Sequence, residues 1–438
     1  MHAETPIKGL TLARPSEEYA TTLAARVASR FQLTAPIEAF EFTEKGNINR
    51  DTFLVQSGRR APSEYILQRI NHEVFTRPDA VMAGMLAAVK AQTQSLTDGL
   101  LQPGREWEPI TLVPTREGES YLRLTDSRGT SFWRLMHRIA NCESFKSLSQ
   151  VGERSRQLAI AEEAGRGLAT YADFTTRIET ERLENPLPGY RNTRLYFQQL
   201  HSILEENRCV EDARDFLPDD PVVREATEHH FVVHLPTAEY ERRRLDPEVA
   251  EGVALATRYK ELGTKLQAAM ESGEIRRVAI HGDTKLENFL FSRRTGQVKA
   301  LVDLDTIMVH TWLSDWGDMV RSLTNPAGEK GDDLSRVQVD MNVYEAVARG
   351  FLGTARQITT AEIALMVDAV LVITLELGVR FLTDYLRGDT YFRLGPADAP
   401  DLNKVRALVQ LTLFERMLQN AKTSQDCIQS LLSERPVE

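Results

Sequence analysis

Two aspartates and an asparagine lie at short spacing in the second half of the chain. Asp283 and Asn288 are five residues apart in the stretch HGDTKLENFLF, and Asp303 follows twenty residues after Asp283. Phosphoryl transfer on a protein kinase-like scaffold uses such a set, with one Asp beside the attacking hydroxyl and an Asn and a second Asp sharing Mg²⁺ on the nucleotide phosphates. Mg²⁺ prefers oxygen ligands and usually takes one or two carboxylates besides the phosphates. We therefore predict an ATP- and Mg²⁺-dependent phosphotransferase with Asp283 as the base and Asn288 and Asp303 as metal ligands.

Two further charged residues accompany this set. Lys285 stands two residues after Asp283 and can offer a positive charge where negative charge develops on the transferred phosphoryl group. Asp305 stands two residues after Asp303 and points to the same side if the strand persists. It is therefore predicted to be either a further metal ligand or a partner that orients one.

The segments around the motif predict a rigidly held loop. RRVAIHGD, NFLFS and VKALVDLD read as buried strands, and RRTGQ between the last two suits a hairpin. Asp and Asn also favour turns and caps, so the spacing without these strands would carry little weight. The strands make a catalytic loop the better interpretation.

Three neighbouring polar residues are interpreted as structural. His281 is assigned to packing or to a backbone hydrogen bond. Asp315 and Asp318, in SDWGD, precede the apolar run MVRSL. They are predicted to form a helix N-cap that braces the catalytic loop.

The first third of the chain predicts a small antiparallel sheet. Apolar residues at helical spacing indicate a leading helix over 15–33, and RPDAVMAGMLAAVKAQTQ suits a helix that packs on the sheet. A sheet of about five strands, ending near residue 140, is predicted from PIEAFEF, DTFLVQS, SEYILQRI, PITLVPT, ESYLRLTD and SFWRLMHRI.

The remainder is predicted to be mainly helical. Residues 145–275 contain three long amphipathic patterns, the last of them over 248–270, and helices continue after the short β insertion. The fold class is therefore α+β, a protein kinase-like two-lobed fold. Residues 1–140 form a nucleotide-binding lobe with a leading helix, and residues 141–438 form a helical catalytic and substrate lobe.

Composition excludes several other classes of protein. The 438 residues are 42% apolar with a formal net charge of −10, which opposes binding to nucleic acid or an anionic membrane surface. The three cysteines are far apart, so neither a disulfide framework nor a zinc site is indicated. Without an export signal or a membrane-spanning run, we expect a cytoplasmic enzyme with a small-molecule substrate.

The motifs together resemble the aminoglycoside phosphotransferase and choline kinase superfamily, and within it the bacterial N-acetylhexosamine 1-kinases. The resemblance covers most of the chain, and it is carried in order by GNINRDTFLV, YILQRIN, HGDTKLENFLF, ALVDLDTIM, DWGD and RFLTDYLRGDTYF. It implies that Gly46 and Gln68 contact the nucleotide, and that adenine docks on the backbone of the hinge RLMHRI, which contains Met136 and Arg138. The implied reaction is transfer of the ATP γ-phosphoryl group to the anomeric 1-OH of an N-acetylhexosamine.

The resemblance also implies a set of acceptor-binding residues. Sugar contacts map onto Arg380 and Tyr391, and Asp384, Asn47 and Asn49 join them. Read without the family, Arg380 and Asp384 are an i,i+4 helix pair.

Three departures from the family pattern matter. Asn47 stands where these sugar kinases often have His, and Tyr190-Arg191 stands where relatives tend to have Phe-His, so the sugar's identity stays open. Gln68 occupies the place of the third-strand Lys of many kinases, and the following helix has no Glu to pair with one. Both losses agree, because a buried Glu without its Lys would be costly. Arg69 points to the opposite face of the sheet and is a poor substitute.

Other functions stay open beside this one. The chain could phosphorylate an aminoglycoside, a choline-like amine or a different sugar. Acidic residues crowding the acceptor pocket would favour a cationic substrate, whereas Arg380 and Tyr391 there would favour a neutral sugar. A nucleotide-binding pseudokinase is the candidate from another class. His230 and His234, four apart in EHHFVVHL, are read as a helix surface rather than a metal site.

Overall fold

A five-stranded antiparallel sheet forms the N-terminal lobe. The computed structural model describes residues 15–42, 49, 51–126, 129–331, 333–395 and 397–434. Within the sheet the spatial order is β1-β2-β3-β5-β4, and the strands are β1 (Ile37–Glu41), β2 (Thr52–Ser57), β3 (Ser63–Ile70), β4 (Leu122–Asp126) and β5 (Gly129–His137). The predicted sheet is confirmed.

Helices cover both faces of this sheet. Helix α1 (Pro15–Ala28) packs Ala24, Val27 and Ala28 on one face, three and four residues apart as a helix requires. Helix α2 (Pro78–Thr97) lies on the other face and packs with the C-terminal lobe. Because strand side chains alternate between faces, the residues of β3 and β5 that point to α2 also point to the second lobe.

The segment PITLVPT is not one of the strands. It makes two isolated bridges, Leu112 with Met136 and Thr115 with Phe31, and the Val113 N–H donates to the Leu135 C=O at 2.8 Å. Pro109 and Pro114 bound the segment and cannot donate to a ladder, so it stays outside the sheet.

The C-terminal lobe is helical and is built around one long buried helix, α13. Its apolar residues lie on all sides, as expected for a helix that is covered all round. It packs chiefly on α14, α10 and α4. The helices of this lobe are α3 (Arg154–Thr175), α4 (Thr193–Leu204), α5 (Pro221–Thr227), α6 (Thr237–Arg244), α7 (Pro247–Arg258), α8 (Lys260–Gly263), α9 (Lys265–Glu271), α10 (Trp312–Thr324), α11 (Met341–Leu352), α12 (Thr360–Ala364), α13 (Met366–Arg387), α14 (Leu402–Gln419) and α15 (Ala421–Ser433).

The helical pattern predicted over 248–270 is divided into α7, α8 and α9. At Gly263, the last residue of α8, an added Cβ would lie 2.6 Å from the Phe197 ring. A break between α8 and α9 thus coincides with a close contact to α4, which local periodicity does not reveal.

Two small sheets form the predicted β insertion. Strands β7 and β10 pair antiparallel, and β8 lies between β6 and β9. Their bounds are β6 (Cys142–Glu143), β7 (Val278–Ile280), β8 (Phe289–Ser292), β9 (Val298–Leu301) and β10 (Met308–His310). The three predicted strands of the insertion are confirmed, and the predicted lobe boundary at residue 140 falls between β5 and β6.

All three cysteines are free, as their spacing predicts. In the described residues, no helix combines the length and apolarity needed to span a bilayer.

Candidate active site

The loop after β7 is held by a buried carboxylate in the first turn of α10. The His281 and Gly282 N–H groups donate to the two oxygens of Asp315 at 2.7 and 2.8 Å, and the Thr284 hydroxyl donates to its C=O. Burial raises the pKa of Asp315, although His281 and these hydrogen bonds oppose the shift. The bracing role is therefore confirmed. The N-cap role is wrong, because the Thr311 side chain accepts the Leu313 N–H as the cap of α10.

Gly282 allows a close approach between the loop and the segment after β9. Its φ is +84°, and an added Cβ would lie 2.7 Å from the Thr306 C=O oxygen. The Thr306 hydroxyl donates to the His281 C=O at 2.7 Å. A side chain here would both strain the backbone and separate the two segments.

His281 is buried and bonded to the backbone, as predicted. Its Nδ1 accepts the Asp283 N–H, and its Nε2 lies 2.9 Å from the Val302 C=O. Since Nδ1 accepts, Nε2 carries the proton and donates to Val302. The ring thus ties the Asp283 loop to the end of β9.

Asp283, Lys285 and Asn288 come together at the open side of this loop. The Asn288 side-chain NH₂ donates to the Asp283 C=O at 2.7 Å and lies 3.3 Å from its carboxylate. Lys285 Nζ is 3.1 Å from both Asp283 Oδ2 and Glu287 Oε1. Burial alone would lower the pKa of Lys285, but these two negative charges outweigh it and raise the pKa above the ordinary value.

Asp303 is the second acid predicted at the metal site. Strand β9 ends at Leu301, and Asp303 has left-handed backbone angles (φ 65°, ψ 56°). Asp303 is accessible to solvent, although the surrounding protein reduces its hydration. The reduced hydration raises the pKa of Asp303 to about 7, and the charges of Asp305 and Asp283 add to the shift. An accessible carboxylate with acidic neighbours favours a bound cation.

Asp305 points toward the N-terminal lobe instead of continuing the strand. The turn at Asp303 and the short 3₁₀ helix Leu304–Thr306 redirect it. The Asn49 side-chain NH₂ donates to Asp305 Oδ2 at 2.5 Å, and Arg134 Nη2 forms an ion pair with Oδ1 at 2.5 Å. Both carboxylate oxygens thus have protein partners, which favours the orienting role over metal ligation.

The described residues that are predicted to contact the nucleotide lie in the N-terminal sheet and in the segment that follows it. The Gln68 side-chain oxygen accepts from Arg134 Nε at 3.0 Å, and its NH₂ donates to the Thr52 hydroxyl. Met136 is half-buried near the end of β5, and Arg138 forms an ion pair with Glu64. Gly46 and Asn47 lie outside the described residues.

The acceptor-side residue Arg380 is enclosed by aromatic rings. Its guanidinium carbon lies 5.0 to 5.5 Å from the ring centres of Tyr190, Tyr196, Tyr391 and Phe392. The Tyr391 hydroxyl is 3.3 Å from Nη2, and no carboxylate among the described residues forms an ion pair with it. Tyr190 also donates to the Gly282 C=O at 3.0 Å, so one side chain connects Arg380 to the residue before Asp283.

Asp384 supports the segment that contains Tyr391. Its carboxylate accepts the N–H groups of Tyr391 and Phe392 at 2.9 and 2.8 Å and pairs with Arg387 Nε at 3.0 Å. The i,i+4 pair with Arg380 is therefore wrong, since Asp384 turns to the backbone and to Arg387. Asp384 is buried and fully used within the protein.

Arg191 joins the acceptor side to the catalytic loop. Its guanidinium donates to the Gly282 C=O at 3.1 Å, to Asp318 Oδ2 at 2.9 Å and to Glu376 Oε1 at 3.2 Å. Arg321 and Arg191 hold the pKa of Asp318 down at about 2 although burial opposes them. The acids near the acceptor side are thus neutralised by protein arginines.

The histidines of EHHFVVHL are not a helix face. A 3₁₀ turn spans Glu228–Phe231, and His234 follows it, so the helical spacing assumed from the sequence is wrong. His230 packs edge-on against Tyr391, and burial together with Arg387 lowers its pKa. No group of three or more His, Cys, Asp or Glu side chains suited to a metal occurs in the part of the chain that the structure describes.

Sequence reasoning missed Arg134 and Glu376. Arg134 is the one charged residue inside the apolar run FWRLM, and it pairs with Gln68 across the strands. A register drawn between YILQRI and FWRLMH would have brought the two together. Glu376 lies four residues before Arg380 in α13, inside an apolar stretch.

A two-lobed phosphotransferase is the class that this fold and site define. Solved structures with the same fold include a microcompartment-associated aminopropanol kinase (14% identity, TM-score 0.54, 92% of this chain and 98% of that chain). Another is the amicoumacin kinase hAmiN in complex with AMP-PNP, Ca²⁺ and Ami (12% identity, TM-score 0.52, 91% of this chain and 96% of that chain). Over residues 40–356 the chain matches the phosphotransferase enzyme family APH, and it belongs to that family.

Proposed function

We propose that this protein transfers the γ-phosphoryl group of ATP to a hydroxyl of a small sugar, with the anomeric 1-OH of an N-acetylhexosamine as the leading acceptor. The observation that carries the proposal is the unpaired guanidinium of Arg380, linked through Tyr190 to the Asp283 loop. Sugar hydroxyl and acetamido oxygens accept hydrogen bonds from such a group.

The residues of the Asp283 loop have distinct roles in the reaction. Asp283 accepts the proton of the acceptor hydroxyl as the hydroxyl oxygen bonds to the γ-phosphorus and the bond to the β-phosphate oxygen breaks. The contact with Asn288 orients the Asp283 carboxylate. Lys285, whose raised pKa keeps it charged, donates to the oxygens of the transferred group.

Asn288 and Asp303 fit a magnesium site. The Asn288 side-chain NH₂ donates to Asp283. The side-chain oxygen of Asn288 is therefore left as a neutral ligand atom. Asp303 has an accessible carboxylate for which no ion pair occurs among the described residues. These two residues would hold Mg²⁺, which would supply positive charge to offset the negative charge that develops on the transferred group. Asp305 orients this segment.

The acids around the acceptor side argue against a cationic acceptor. Asp318 is shared by Arg191 and Arg321, and Glu376 accepts from Arg191 and from the Thr193 hydroxyl. An aminoglycoside or choline-like amine would have to displace these pairs and approach Arg380, which has the same charge. A neutral sugar meets neither cost.

The acceptor is tested by following ADP release with a panel of candidates. N-acetylglucosamine, N-acetylgalactosamine, glucosamine, galactosamine and several aminoglycosides are compared by kcat/KM, and NMR identifies the phosphorylated position. We expect the highest kcat/KM with an N-acetylhexosamine and phosphate at the first carbon. A higher value with an aminoglycoside would contradict the sugar assignment, and phosphate on the sixth carbon would contradict the anomeric one.

Asp283→Asn tests the assignment of Asp283 as the base. The variant keeps the size of the side chain, so it should fold and bind Mg·ATP. It removes the proton acceptor, a contribution of about 10²-fold to 10⁴-fold to the rate. ADP release with the best acceptor should fall by that factor. A variant with near wild-type turnover would show that another group is the base.

A further inference from the structure

The third-strand lysine of protein kinases is absent, and a cation of the neighbouring strand lies beside its place. In protein kinases that lysine pairs with a glutamate of the following helix, and the pair must be formed for activity. Here Gln68 occupies the strand position, and α2 presents Gly84 and Met85 toward the C-terminal lobe. Arg134 is directly opposite Gln68 in the register of β3 and β5. Both side chains therefore point to the α2 face of the sheet.

Arg134 uses its guanidinium to join three parts of the molecule. Nε donates to Gln68, Nη1 lies 3.4 Å from Met85 Sδ, and Nη2 pairs with Asp305 Oδ1 at 2.5 Å. The side chains of Arg134 and Asp305 are each only 2% exposed. Asn49 holds the other oxygen of Asp305. Two side chains of the N-terminal lobe thus fix an acid that belongs to the C-terminal lobe.

The conformation of Asp303 has to be held from outside. A residue other than glycine in the left-handed region is strained and persists where its surroundings enforce it. Asp303 is in that region, and the anchored Asp305 is only two residues away. A buried ion pair is itself weak evidence of a stabilising role. Its position next to this turn indicates a role in geometry.

We propose that Arg134 is a positioning residue for the metal-binding end of the site, replacing the missing lysine–glutamate pair. By holding Asp305 it fixes the turn that presents Asp303 to the nucleotide-bound metal. The inference rests on the proposed function, because it assigns a supporting residue to the same site. It assigns no direct phosphate contact to Arg134, whose nitrogens are engaged by protein groups.

Binding measurements without an acceptor test the proposal. Mn²⁺ binding is measured by electron paramagnetic resonance, and binding of a non-hydrolysable ATP analogue with Mn²⁺ is measured by calorimetry. Loss of a partner that orients a metal ligand weakens metal binding by about 10-fold to 100-fold, so we expect that loss in Arg134→Met. The KM for the acceptor should not change, because Arg380 and its aromatic rings are untouched.

Moving the positive charge from position 134 to position 68 distinguishes a positioning role of Arg134 from a role in folding alone. The double variant Gln68→Lys/Arg134→Met returns a cation to the third strand, beside the same carboxylate, and should recover most of the metal and nucleotide affinity. Lys404→Met is the matched control, because the Lys404–Asp246 ion pair is also largely buried but joins α14 to the N-cap of α7. It should bind Mn²⁺ and the ATP analogue as the wild type does.

The outcomes separate this inference from the proposed function. A folded Arg134→Met variant with wild-type affinity for Mn²⁺ and the ATP analogue would overturn the positioning role. If that variant does not fold, the double variant decides, since a folded double variant without recovered binding overturns it equally. A wild-type protein that binds no Mn²⁺-nucleotide would instead refute the proposed kinase function.

Discussion

Arg380 is the residue on which acceptor recognition should depend most. A hydrogen bond to a charged group contributes about 1.5 to 3 kcal/mol, so Arg380→Met should raise the KM for the sugar by about 10-fold to 100-fold. The KM for ATP should be unchanged, because the binding energy lost concerns the acceptor alone. Steady-state kinetics with each substrate varied in turn measures both values.

Arg393→Met is the control for this change. Arg393 follows the same segment but is exposed, so its replacement should leave both KM values unchanged. An unchanged sugar KM in Arg380→Met would show that the aromatic enclosure serves only to pack the guanidinium. Sequence reasoning could select Arg380 by resemblance, but it could not show that Arg380 is without a carboxylate partner.

His310 should make the stability of the fold sensitive to acid. Burial, with help from the charges of Arg191 and Arg277, lowers the pKa of His310 to about 3, and its Nδ1 lies 2.7 Å from the Ser314 hydroxyl. The unfolded chain binds this proton below about pH 6.5. The contribution of neutral His310 to the free energy of unfolding is therefore complete above that pH. It is lost as the pH falls toward 3, by at most about 1.4 kcal/mol per pH unit.

His310→Asn should flatten this dependence. Asparagine keeps a hydrogen-bonding partner for Ser314 but does not titrate. Urea unfolding at about pH 5 and about pH 7.5 gives the difference in free energy of unfolding, which should be smaller in the variant. Replacement of the exposed His201 by asparagine is the control and should retain the wild-type difference. Equal differences in His310→Asn and the wild type would contradict the assignment.

At the scale of elements, α2 packs against the segment that follows Asp305. At Gly84 an added Cβ would lie 3.1 Å from Ile307 Cβ and 3.2 Å from its C=O oxygen. Gly84→Val should therefore push the helix away and lower the free energy of unfolding by about 1 to 3 kcal/mol. Because the same segment contains Asp303 and Asp305, affinity for Mn²⁺-nucleotide should fall as well.

Ala83→Val separates packing from helix propensity. Ala83 is the preceding residue of α2 and is exposed, so valine there costs only a few tenths of a kcal/mol. Denaturant unfolding and calorimetry compare the two variants. Equal stability and equal nucleotide affinity would show that α2 does not constrain the metal-binding segment.

Elements with clear periodicity could be predicted from the sequence, and those defined by tertiary contacts could not. β2, β3 and β5 have the β-branched and aromatic residues of buried strands, and α2 has its apolar stripe. The end of β9 before Asp303 has no local signal, because the left-handed turn there is set by neighbours. The condition that the strand persists to Asp305 is therefore not met.

At the scale of the whole molecule, the arrangement of the two lobes is the feature that the sequence predicts least well. The spacing of Asp283, Asn288 and Asp303 is visible in the sequence because one small β insertion contains all three. The Arg134–Asp305 pair is 171 positions apart in the printed sequence, and it requires both the register of the sheet and the docking of the lobes. The sequence was enough to propose candidates for the chemistry, but not to find Arg134, which pairs with Asp305 across the lobes.

Helix α13 connects Arg380, the proposed acceptor-binding residue, to the loop that contains Asp283. Glu376, Arg380 and Asp384 are spaced by four residues on one side of this helix. Glu376 also holds Arg191, which in turn holds the Gly282 C=O. Substitutions at these α13 positions that adapt the protein to a new acceptor would therefore also lower turnover, unless residues 191 and 376 changed together. Laboratory evolution of substrate range should recover those two positions as a coupled pair.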